Sequence, residues 1–368
     1  MTADPDAQDA AFAAALAAAG TAAASVRRRR DYPLLLAGQF LGAFGDNALL
    51  AVIVGPLLFR RQSGELTEAA LRDANTFYTA LLFVPCVLFA PLAGYAGDRF
   101  SKNRLLVGAN AIKLAGAALC AAGALLPAPV AGADPRFGSA GALLLGAGYF
   151  CVGAGTCFYG PAKYGALPEI LPREKLVRGN GTVEMLTLLA VLGGFIAGSA
   201  AADVFRGAGD AVVPHLGVLG IFGVSLALNA AMSRLPNNPA VRLAATAGAF
   251  FGHARDLLVR APRTRLLLCG TMAFWLVGAA MKTHFQPWGQ GILGLSNNTE
   301  ISLLALVLSV GVMAGSVLAG RLHGVGDLRA TPRYALLLAA VLGIAWSVGG
   351  GGVLEFWTSP ASRVTAGG

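Results

Sequence analysis

The sequence predicts an all-α protein that crosses a membrane several times, and three observations carry that prediction. Of its 368 residues, 56% are hydrophobic and only 13% are charged, about half the charged share of an ordinary soluble domain. The mean hydropathy is +0.64. So few charges cannot cover the surface of a water-soluble fold of this size, and the same numbers exclude a disordered chain. The apolar residues also come in runs of about 20, the length an α-helix needs to cross a bilayer.

Nine such runs occur, at 33–59, 76–95, 105–126, 138–159, 183–202, 212–232, 266–288, 301–319 and 334–356. The seventh is interrupted by Lys282 and His284, the ninth by glycines from Gly349 to Gly352. With the N-terminus inside, 20 of the 28 Lys and Arg fall on the cytoplasmic side: Arg27 to Arg30, the loop around Arg99, Lys102 and Arg104, the loop from Lys163 to Arg178, the stretch from Arg234 to Arg265, and Arg321, Arg329 and Arg333. Six fall outside, and Lys113 and Lys282 lie within spans. This asymmetry follows the positive-inside rule, so the net charge of +9 is a topology signal and nucleic-acid binding is not implied. Arg27 to Arg30 before an apolar run imitates a signal peptide. The run is too long, carries Asp46 and lacks a small-residue cleavage site, which favours an uncleaved first span.

The chain divides into a cytoplasmic tail at 1–32, expected to be disordered or frayed over its Ala-rich first 26 residues, a six-helix half at 33–235, a basic cytoplasmic loop at 236–265, and a partial second half at 266–368. Six spans, a basic loop and a second set of spans form the layout of secondary transporters with two repeated halves. Cys86, Cys120, Cys151, Cys157 and Cys269 all sit in apolar runs without ligand spacing, so they read as small packing residues and no metal or other cofactor is expected. No Walker A or G-x-G-x-x-G motif occurs, which speaks against nucleotide-driven chemistry in this chain.

Ionisable groups at membrane depth cost about 2.5–3.5 kcal/mol each on insertion scales, so each asks for a reason. Four stand out: Asp46, Lys113, Glu184 and Lys282. They can act as interhelical charge locks, or they can line a polar cavity for a charged or zwitterionic headgroup. Gln39 and Asp46 share a helix face at seven residues' spacing, Asn110 and Lys113 at three, and Asn180 and Glu184 at four. These stripes are expected to converge on one interior surface, with Asp46 and Lys113 in contact.

Three stretches carry a family resemblance. GYAGDRFSKNR, from Gly94 to Arg104, resembles the signature between the second and third helices of the major facilitator superfamily, matching at Gly94, Asp98, Arg99, Lys102 and Arg104. Its physical logic is a close helix approach at the glycine and a carboxylate latch at the membrane edge. QFLGAFGDNAL, from Gln39 to Leu49, and FYGPAKYGALPEILPREKLVRGNGTVE, from Phe158 to Glu184, resemble the lysophospholipid transporter branch of that superfamily. The resemblance covers residues 33–205 closely and reaches 350 more diffusely. It implies the major facilitator fold and marks Asp46, Asn47, Lys163, Tyr164, Glu169, Asn180 and Glu184 as positions of interest. It further implies movement of lysophospholipid from the outer to the inner leaflet of the bacterial inner membrane for reacylation, not enzyme activity. Gly194 and Gly198, with Gly311 and Gly315, are small-xxx-small pairs expected where the fifth and eighth helices meet between the halves. Gly320, Asp327 and Arg329 echo the first signature, as an internal repeat should.

The resemblance also sets expectations that the sequence departs from. Twelve spans are expected and nine are found, which suggests a truncated or frameshifted product that transports poorly alone. Two alternatives remain: a non-transporting remnant, and the transporter-like portion of a phospholipid-remodelling system that partners an acyltransferase/acyl-carrier-protein ligase. For the latter, the H-x4-D pair of acyltransferases is missing, since His323 and Asp327 are one residue too close.

Overall fold

The computed structural model describes the backbone of residues 5–127, 129–206, 210–241 and 243–291, with isolated positions beyond 299; side chains are described through most of 30–241 and 250–278. Most of the expected eighth and ninth spans, the echo at Gly320, Asp327 and Arg329, and the side chain of Lys282 lie outside the described residues. Compactness divides the chain into 1–319 and 320–368, and every helix below belongs to the first unit.

Eight α-helices are described: α1 (Pro5–Gln62), α2 (Glu68–Arg99), α3 (Lys102–Ala124), α4 (Ala140–Ile170), α5 (Leu176–Val204), α6 (Val212–Ala230), α7 (Leu243–Arg260) and α8 (Pro262–Gly291). Among the described residues six helices are long and apolar enough to cross a membrane: Arg30–Gln62, Glu68–Arg99, Lys102–Ala124, Ala140–Ile170, Arg173–Val204 and Val212–Ala230. They match the first six spans read from sequence to within two residues at the ends that overrun, 105–126, 138–159 and 212–232. The seventh falls inside α8.

One expectation about the ends of the bundle is corrected. The N-terminal tail is helical from Pro5 and runs without a break into the first span, consistent with the high helix propensity of its alanines. The basic segment read as the central loop contains α7.

Local chemistry starts and stops these helices. Thr67 and Ser139 accept hydrogen bonds from the Ala70 and Ala142 amides at the starts of α2 and α4, satisfying donors that the first turn leaves free. α4 continues through Pro161 and Pro168 and ends at Ile170, and after Pro172 a short 3₁₀ turn over Arg173–Lys175 leads into α5.

Glycines set how closely the helices pack. A Cβ on Gly116, Gly148 or Gly155 would strike the facing backbone of the α3–α4 pair, which runs antiparallel. Gly194 and Gly198 lie on Phe44 and Ala48, so α5 runs parallel to α1. These two glycines therefore serve a crossing within the six-helix half; Gly311 and Gly315 are exposed. Gly38, Gly42 and Gly45 of α1 face Asn229, Ser225 and Phe222 of α6 in antiparallel order, with a Cβ on Gly45 falling 2.7 Å from the Phe222 ring. Backbones this close allow short interhelical hydrogen bonds where lipid offers no hydrophobic driving force.

Two apolar clusters fill the bundle. One holds Leu49, Leu50, Ile53, Leu58, Tyr78, Tyr149 and Phe222, and the other Leu35, Leu106, Tyr159, Leu167, Ile170 and Val183. The polar residues described next lie along the seam of α1, α3, α4 and α6.

Candidate functional site

The interior ion pair anticipated from sequence is present. Lys113 Nζ donates to Asp46 Oδ2 at 2.8 Å, and Thr156 Oγ1 donates to the same oxygen at 3.0 Å. Both charged residues are nearly sealed, Lys113 at 2% exposure and Asp46 at 4%. The ammonium also sits 5.3 Å from the Tyr159 ring centroid and 5.9 Å from that of Phe222, so two π-faces supplement one carboxylate. Gly155 makes room for the Lys113 stem: a Cβ there would fall 2.6 Å from Lys113 Cγ.

A neutral network continues along the seam. Asn110 donates to Ser225 Oγ at 3.0 Å, Ser225 donates to the Gly38 carbonyl at 2.7 Å, and Asn229 donates to Tyr159 Oη at 3.1 Å. Tyr149 Oη donates to the Asp46 carbonyl at 3.1 Å. Sequence reasoning missed Thr156, Tyr149, Ser225 and Asn229, and Tyr159 packs on Lys113. Ser225 and Asn229, four apart in an otherwise apolar span, are the signal that could have found them.

The polar stripes do not all converge on this surface. Gln39 turns to α5 instead: its amide donates to the Val183 carbonyl at 3.3 Å and its carbonyl accepts from Thr187 at 3.0 Å. Seven residues carry α1 forward by about 10 Å, far enough for a shared face to meet a different neighbour. Asn47 is buried and donates to the Ala43 carbonyl of its own helix at 2.9 Å. Asn180 is exposed at the start of α5.

A second cluster forms where α4 approaches its end. Lys163 Nζ lies 4.5 Å from the Tyr164 ring centroid, and Tyr164 Oη donates to Glu184 Oε1. Lys163 is buried but Tyr164 is 44% exposed and Glu184 half-buried. A cation and a carboxylate thus flank one accessible tyrosine. Lys102 pairs with Glu169 at 3.4 Å, linking the first residue of α3 to the last turn of α4.

The loop signature is arranged differently from its expected logic. A Cβ on Gly94 would meet nothing within 4 Å, whereas one on Gly97 would fall 3.1 Å from Pro161 Cβ. The close approach therefore belongs to Gly97, one turn nearer the loop, where α2 crosses the α4 proline. Asp98 and Arg104 are exposed, and among the described residues Asp98 forms no ion pair. Arg99 binds backbone: Nη1 donates to the carbonyls of Pro239 at 3.2 Å and Val241 at 2.5 Å. Among the described residues no group of three His, Cys, Asp or Glu could hold a metal ion.

No protein-family model matches the chain. Curated relatives do. The lysophospholipid transporter LplT of Serratia proteamaculans (strain 568) is 32% identical over 325 residues, covering 85% of this chain and 73% of that protein. The lysophospholipid transporter LplT of Pectobacterium carotovorum subsp. carotovorum (strain PC1) is 30% identical over 316 residues, covering 85% and 70%. Among solved structures, the crystal structure of a D-xylose-proton symporter superposes with a TM-score of 0.51 at 17% identity, over 78% of this chain and 67% of that one. At that identity the likeness speaks to fold alone, and it joins the six apolar helices and the loop signature in describing a major facilitator protein. The chain is a multi-pass membrane transporter and belongs to the lysophospholipid transporter LplT family.

Proposed function

We propose that the chain handles single-chain phospholipids, moving them from the outer to the inner leaflet of a bacterial inner membrane for reacylation, with its N-terminus in the cytoplasm and 33–235 and 266–368 as the two halves of an alternating-access machine. The names of its relatives support the substrate, and the basic residues gathered at one end of the spans support the orientation. One observation carries the headgroup site: Lys163 and Glu184 flank the accessible Tyr164.

That arrangement complements a zwitterionic headgroup. Lys163 offers a cation to the phosphate, Glu184 a carboxylate to the amine, and the Tyr164 ring a face on which the lipid's glycerol end can rest. Asp46 and Lys113 take a different role. Sealed between α1, α3 and α4, they hold the half together as a rigid body. Lys102 and Glu169 brace the start of α3 against α4, and the exposed Asp98 is free to latch the second half. An acyltransferase/acyl-carrier-protein ligase would take the delivered lipid.

The test is photo-crosslinking of a headgroup-diazirine lysophosphatidylethanolamine to the chain in proteoliposomes. The expected adducts map to 158–184, are competed by unlabelled lysophospholipid and not by diacyl phospholipid, and fall at least tenfold in Glu184→Gln, the scale of a lost charge-assisted hydrogen bond. Labelling that diacyl lipid competes equally, or that Glu184→Gln leaves intact, refutes the assignment.

A further inference from the structure

The helix between α6 and α8 is built unlike the spanning helices. At about 100° per residue, Phe250, Phe251, Ala254, Leu257 and Leu258 of α7 fall within about 120° of one another, and Asp256 lies nearly opposite them. Arg255 and Arg260 flank the apolar stripe at about 100° and 120° to either side. Three of its five residues are exposed, Phe251 at 72%, Leu257 at 44% and Leu258 at 42%, while Phe250 and Ala254 are half-buried. The Phe250 and Phe251 rings pack edge to face at 5.3 Å, fixing one aromatic corner of it.

Hydrogen bonds hold the approach to this helix at the membrane edge. Arg99, the last residue of α2, donates to the Pro239 and Val241 carbonyls, and the Asn238 amide donates back to the Arg99 carbonyl at 3.0 Å. Upstream, the Leu235 amide donates to Asn103 Oδ1 at 3.4 Å and the Ser233 amide to Asp31 Oδ1 at 3.0 Å. α7 therefore begins two residues after a carbonyl tied to the end of a membrane-spanning helix, and it packs against that same helix. From Arg242 to Arg265 the segment carries five Arg against the single acid Asp256.

We propose that α7 lies in the membrane interface as a lipid-binding helix, with its Phe251, Leu257 and Leu258 face among the acyl chains and Arg255 and Arg260 on the phosphates of anionic phospholipids. An apolar stripe bordered on both sides by arginines and backed by an acid fits a bilayer surface: the stripe enters the hydrocarbon boundary while the arginines reach up to headgroups. The charge of the segment complements an anionic leaflet.

The test replaces Phe251→p-benzoylphenylalanine in the full chain in vesicles of equimolar phosphatidylglycerol and phosphatidylethanolamine, with Asp256→p-benzoylphenylalanine as the opposite-face control. Irradiation is expected to yield phospholipid adducts at position 251 and few at 256. The 251 adducts should favour phosphatidylglycerol by on the order of fivefold per basic residue at the surface, and adding Arg255→Gln with Arg260→Gln should return them towards the equimolar ratio. Adducts at 251 to polypeptide instead of lipid, equal lipid labelling at 251 and 256, or no headgroup preference would each overturn the proposal.

Discussion

Removing the carboxylate from the Asp46–Lys113 pair should weaken the helix bundle far more than removing both charges. At 2.8 Å and an effective dielectric constant near 20, the pair interacts by about 6 kcal/mol, a gain that desolvation of both ions largely offsets. Breaking one side of such a pair leaves an uncompensated buried charge and costs about 3–5 kcal/mol. In Asp46→Asn the orphaned Lys113 keeps the Tyr159 and Phe222 ring faces, each contributing about 0.5–2 kcal/mol, so the loss should fall near the lower bound. In Lys113→Met the carboxylate keeps only the Thr156 hydroxyl, and the loss should fall near the upper bound of about 5 kcal/mol. Asp46→Leu with Lys113→Met removes both charges and should recover most of the stability, giving a coupling of at least about 2 kcal/mol. A thermal melt at fixed heating rate, read by a thiol-reactive fluorophore on the buried Cys120 and Cys157, measures the order. Single substitutions as stable as the parent, or a double substitution no better than Lys113→Met, would refute the charge-lock reasoning.

Three further outcomes follow from packing and charge. Gly194→Leu should destabilise the bundle by about 1–3 kcal/mol, because its Cβ meets the Phe44 backbone, while Gly217→Leu, with open space around it, should leave the same melt unchanged. Arg99→Ala frees the carbonyls of Pro239 and Val241, so limited proteolysis should cut 236–242 several-fold faster; an unchanged cutting rate would show that the arginine does not hold this segment. In the loop before α4, hydrogen bonds from Arg136 hold the Asp134 carboxyl below the usual carboxylate range. The resulting stabilisation is present above the ordinary carboxylate pKa and lost as pH falls through the lowered value. In Arg136→Gln, the Asp134 titration followed by carbon-13 NMR should move up into the ordinary carboxylate range, and an unmoved midpoint would sink the assignment.

Composition, the spacing of apolar runs and a few motifs were enough to specify the membrane, the helical class, the first six spans and the family, because the bilayer leaves a chain few choices: each crossing must satisfy its own backbone over about 20 apolar residues. The Asp46–Lys113 contact was legible too, since two opposite charges at similar depth in hydrocarbon have strong reason to meet. Packing settled what one-dimensional spacing cannot. It sealed Asp46 and Lys113 inside the bundle, turned Gln39 to α5, gave the close approach after α2 to Gly97 instead of Gly94, and set Gly194 and Gly198 against α1. It also gathered Ser225, Asn229 and Tyr159 from helices distant in sequence, and bound Arg99 to the backbone beyond α6. Helical periodicity says which residues share a face; which neighbour that face meets depends on where each helix crosses the next, and only the tertiary structure holds that.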